Sequence, residues 1–169
     1  MEYIASADQQ ALSERHKKAA VVVAALGASV MVYSLVAWLI PPAQLSSRSG
    51  GRAFYYAVYG AALVMGFAVV VLRRLWLSQF RLNLALRRGL GAMLGSLSLA
   101  SILGAALGDA IGILGLVAYL MTGDREFSWR LGVVGLLLII YSYPRRGEWE
   151  RAVSTATRET TSSEFKATG

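Results

Sequence analysis

Asp109 is the residue whose type and setting point to chemistry. It stands inside Ala105-Ala-Leu-Gly-Asp-Ala-Ile-Gly-Ile-Leu-Gly-Leu-Val117, an apolar run with no other charge. A carboxylate in hydrocarbon is costly unless it is protonated, hydrogen-bonded, or set beside water or a cation. Two kinds of chemistry follow. Either Asp109 binds a proton or cation reversibly, or it is a neutral structural acid that joins two helices by one hydrogen bond. Small residues recur every fourth place through this region, at Ala92, Ser96, Ala100, Gly104, Gly108 and Gly112. At helical spacing they share one stripe, so Ala100, Gly104, Gly108 and Gly112 are the expected helix-packing positions.

Asp109 lies twelve residues before Met121, roughly 18 Å along a helix, which is near mid-membrane for a span ending at that methionine. No lysine or arginine falls at a similar depth, and Arg130 is only just inside the outer edge. Ser29 on the first apolar run, with Tyr33 and Tyr141, supplies the hydroxyls expected to satisfy the carboxyl group.

The composition defines the setting. Of 169 residues, 56% are hydrophobic and none is cysteine. Soluble domains are roughly 45–50% apolar, and the missing thiols exclude disulfides, zinc–thiolate sites and thiol catalysis. The net charge of +7 is not gathered on one face. The arginines flank the apolar runs, as membrane insertion requires, so the expected partner is the bilayer and not nucleic acid. No P-loop, dinucleotide fingerprint, metal-ligand cluster or nucleophile–base pair is present, so no cofactor, no metal and no enzymatic activity are expected. His16, in the basic cluster Arg15-His-Lys-Lys18, is expected to be a solvated interfacial residue. No leader peptide is expected to be removed.

Four helices must position Asp109. Residues 1–18 form a polar lead-in. The spans are expected at about 19–40, 53–72, 99–121 and 127–143, each close to the length that crosses about 30 Å of hydrocarbon. Pro41-Pro42 stops the first. Tyr55, Tyr56 and Tyr59 at the start of the second read as an aromatic belt. The connector 73–98 carries Arg73, Arg74, Arg81, Arg87 and Arg88, with Trp76, Phe80 and Leu84 four apart. It either lies on the membrane surface or extends the flanking helices. Asp124 is placed to cap the fourth helix. Residues 147–169 read as a flexible tail.

Charge gives the direction. The N-terminal segment, the connector and the C-terminal flank are rich in Lys and Arg, whereas the other two loops carry only Arg48, Arg52 and Arg125. By the positive-inside rule both termini are cytoplasmic. The expected fold is an all-α, four-transmembrane-helix bundle: a multi-pass cell membrane protein, compatible with a bacterial inner membrane.

Leu107-Gly-Asp-Ala-Ile-Gly-Ile-Leu-Gly-Leu-Val117 resembles the carboxylate helix of the proteolipid c (or K) subunit of rotary ATP synthases. The resemblance implies that Asp109 is an ion-binding carboxylate, with Gly115-Leu116-Val117 as the matching segment after it. It does not extend to the rest of the chain: the neighbouring second span has only Gly60 and Gly66, and two further helices flank the pair. The functional expectation is therefore a small non-enzymatic membrane subunit or scaffold, associating with other membrane subunits or with itself. The alternative is a proton or sodium carrier related to the rotary proteolipids.

Overall fold

A computed structural model describes residues 6–42, 51–76, 90–144 and 147. All regular structure among them is helical: α1 (Ser6–Leu39), α2 (Arg52–Trp76), α3 (Leu90–Thr122) and α4 (Arg125–Ser142). The expected loop at 43–50, the middle of the connector at 77–89, Arg145, Arg146 and the tail from 148 onward lie outside the described residues.

Among the described residues three stretches are long and apolar enough to cross a membrane: Ser13–Leu39, Arg52–Leu75 and Gly95–Thr122. α4 has 18 residues, a length of about 27 Å, and carries Arg125, Glu126 and Arg130 in its first turns. The described part of the lead-in, residues 6–18, and the first span form one unbroken helix, α1. α3 is likewise one continuous helix through Gly91 and Gly95. The described ends of the connector, 73–76 and 90–98, continue α2 and α3.

The helix ends follow from particular residues. α1 gives out where Pro41 and Pro42 follow, because proline has no N–H to continue the ladder; its last bond runs from Ile40 N to Val36 O, 3.1 Å. α3 ends at Gly123, whose φ of 72° suits a residue without Cβ, and whose N–H reaches the Tyr119 carbonyl at 2.7 Å. Asp124 then caps α4, its carboxylate accepting from Glu126 N at 3.0 Å, which satisfies one of the free N–H groups of the new helix. Arg73 and Arg74 occupy the last turn of α2, where positive charge complements the helix dipole.

The contacts fix the packing order. α3 touches each of the other three helices, most extensively α4, whereas α1 and α2 make no extensive contact with each other. α3 and α4 run antiparallel across the two-residue turn Gly123-Asp124. α1 runs parallel to α3 with a nearly constant offset, since Ser29 meets Asp109 and Tyr119 meets Ile40. α2 runs opposite to α3, with Tyr55 opposite Asp124 and Val69 near Gly104. One buried cluster joins Val58 and Ala62 of α2, Ile111 and Ala118 of α3, and Phe127 and Leu131 of α4. A second joins Val23 and Val30 of α1 with Ala105 and Ile139.

Candidate functional site

The site lies where α1 crosses the middle of α3. Asp109 is half-buried there, and its Oδ1 accepts a hydrogen bond from the Ser29 hydroxyl. Ser29 Oγ also lies 2.7 Å from the carbonyl oxygen of Leu26, one turn back on its own helix. No other hydrogen bond or ion pair to Asp109 occurs among the described residues. Arg130, the charge expected nearest the outer edge, pairs instead with Glu126 at 2.6 Å on the exposed side of α4.

A serine hydroxyl has one proton to give. It faces two acceptors here, the Leu26 carbonyl and Asp109 Oδ1. The Ser29 hydroxyl is thus shared between the carbonyl of its own helix and the carboxylate of α3.

Of the three expected partners, only Ser29 reaches Asp109. Tyr33 is one turn farther along α1 and half-buried, with no hydrogen bond to the carboxyl group. Tyr141 makes a different contact. The antiparallel register sets Ser142 against Gly104, five residues below Asp109, or about 7.5 Å. The Tyr141 ring instead carries the Arg73 guanidinium, 4.4 Å from its centroid, a cation–π contact.

The glycine stripe divides between two neighbours. A Cβ on Gly104 would fall within 3.0 Å of the Ser142 side chain, and one on Gly108 would stand 2.8 Å from the Gly135 carbonyl oxygen, both on α4. One on Gly112 would meet Val30 of α1 at 3.0 Å. Each step of four residues overshoots a helical turn by about 40°, so the stripe wanders from one partner to the next. Ala100 is half-buried. Lipid tails are as apolar as leucine, so close backbone approach and van der Waals contact, and not expulsion of water, hold such helices together.

Several packing residues were not singled out from the sequence. Gly115 meets Leu131 and the Phe127 carbonyl, Gly132 meets Ser34, and Gly135 meets Gly108; for Gly132 and Gly135, glycines three apart in the fourth apolar run were the available signal. Phe127, fully buried, is ringed by Phe54, Tyr55 and Tyr59 at centroid distances of 6.1, 4.7 and 5.5 Å. Tyr55 and Tyr59 therefore serve the interior, and only Tyr56 stands out, 76% exposed. Tyr55 also donates to Asp124 at 3.1 Å. His16 is tied down as well, its Nε2 lying 2.9 Å from the Pro144 carbonyl.

The side of α3 opposite α4 is open. Leu99, Leu103, Ala106, Ile113, Val117 and Leu120 are exposed along it, three, four or seven residues apart, and Asp109 stands at the edge of this face. Among the described residues no group of three or more His, Cys, Asp or Glu side chains comes together to hold a metal. Comparison of the chain with protein-family models, with curated proteins and with solved structures finds no match.

Proposed function

We propose that this chain is a non-enzymatic subunit or scaffold of a membrane assembly, with four spans, both termini cytoplasmic, and at its middle an Asp109 able to bind a proton. A bacterial inner membrane is the setting that fits the chain. The observation that carries the reading is the position of Asp109. One carboxyl oxygen is held by Ser29, while the residue as a whole stays half-buried at the margin of an open apolar face. A polar group so placed is a natural contact for a further helix, because interhelical hydrogen bonds join helices that hydrophobicity alone does not. The up-and-down succession of the helices and the arginine-rich ends support the same topology.

The alternative reading is a proton or sodium carrier related to the rotary proteolipids. The glycine-packed setting of Asp109 and its incomplete cover favour it, since an exchangeable proton needs an acid that a moving partner can reach.

Carbodiimide labelling in lipid separates the two. The subunit reading expects Asp109 to be labelled without protection by sodium, and Asp109→Asn to weaken co-purification of partner chains without altering ion flux. Sodium-protected labelling, or proton flux abolished by Asp109→Asn with assembly intact, would establish the carrier instead.

A further inference from the structure

A trench of about 430 Å³ runs between α1 and α4, away from Asp109. Its α1 wall is Val23, Ala24, Gly27, Ala28 and Met31, and its α4 wall includes Leu136 and Ile140. Ile139, 3% exposed, forms part of the floor. The trench exists because α1 presents nothing larger than a methyl group at 24, 27 and 28, whereas the helices close on either side of it. Toward one end a Cβ on Gly132 would stand 3.0 Å from Ser34 Oγ. At the other, His16 meets the Pro144 carbonyl.

Two features limit what fits. From Val23 to Met31 the trench extends only about 12 Å, far short of the roughly 30 Å that a crossing helix occupies. A flexible hydrocarbon chain suits a short apolar slot with Met31 at one end. The other end is polar. Tyr143 lines it, 43% exposed. Lys17, also exposed, lies seven residues before Ala24 and so on the same side of α1. A lysine and a tyrosine at the end of an apolar slot complement a phosphate attached to an acyl chain.

We propose that this trench seats one acyl chain of an anionic glycerophospholipid, with its phosphate held by Lys17 and the Tyr143 hydroxyl. The proposal rests on the membrane reading but not on any role of Asp109. The full chain is first reconstituted into phosphatidylcholine vesicles and floated on a density gradient; failure to float would overturn the membrane reading itself. Protein from vesicles of equimolar phosphatidylcholine and phosphatidylglycerol is then extracted in mild detergent, and its bound lipid is counted by native mass spectrometry. Phosphatidylglycerol is expected to exceed phosphatidylcholine about fivefold, the share of one lysine at an anionic surface, and Lys17→Gln should bring the two to parity. Ala28→Leu should reduce both lipids, while Ala25→Leu, outside the trench, should retain them. Equal retention of the two lipids by the unmodified chain, or full retention by Ala28→Leu, would overturn the proposal.

Discussion

Gly108 of α3 and Gly135 of α4 meet backbone to backbone: a Cβ on Gly108 would stand 2.8 Å from the Gly135 carbonyl oxygen. Nothing can be added at this crossing unless the helices part. Gly135→Ala is expected to destabilise the folded chain by about 1–3 kcal/mol, the usual range for overpacking. Gly60→Ala, where a Cβ meets nothing within 4 Å, should be neutral or slightly stabilising, since alanine is the better helix former. Thermal unfolding of both variants in the same detergent checks this, and equal midpoints would contradict it.

The Ser29–Asp109 bond is expected to be modest in energy. Hydrogen bonds between membrane helices average about 0.6 kcal/mol and reach about 1.7. A double-mutant cycle of Ser29→Ala with Asp109→Ala should yield a coupling in that range. Additive single effects would mean that the two side chains do not interact in lipid.

Depth was legible in the sequence, and direction around each helix was not. Counting residues from Met121 put Asp109 near the level of Ser29, and that pair is present. The same counting nominated Tyr141, because it ignored the hairpin register that sets Ser142 beside Gly104. Pro41-Pro42 and Asp124 act locally, through a missing N–H and a side-chain cap, so their effects could be read without neighbours. The role of Tyr55 could not, because it depends on Phe127, seventy-two residues later. His16 escaped for the same reason, its partner Pro144 lying 128 residues away.

Tyr119 is fully buried, and its hydroxyl donates to the Ile40 carbonyl, a group that the following prolines leave beyond the helical ladder. Arg125 reaches the neighbouring Trp38 carbonyl at 3.4 Å. Tyr119→Phe should cost about 0.5–1.5 kcal/mol, the usual net worth of one hydrogen bond. It should also speed amide exchange in the last turn of α1 before any other segment. Unchanged exchange at Leu39 and Ile40 would show that the tyrosine does not hold this end.

Asp124 has two tasks, which two substitutions separate. Asp124→Ala removes the cap on α4 and is expected to cost about 1 kcal/mol or more. Tyr55→Phe keeps the cap and the ring contact with Phe127 but loses the bond to Asp124 Oδ2, so its effect should be smaller. If Tyr55→Phe proves the more damaging in chemical unfolding, the link between α2 and the turn outweighs the cap.

Because α1 and α2 lean on α3 and scarcely on each other, the order of synthesis matters. When the ribosome has delivered the first 76 residues, both helices are in place but have little to hold them together. They wait in the bilayer as separate rods until the helix bearing Asp109 emerges and gives each its seat. A chain truncated after α2 should insert yet remain unassembled, whereas one truncated after α3 already possesses the shared axle of the finished molecule.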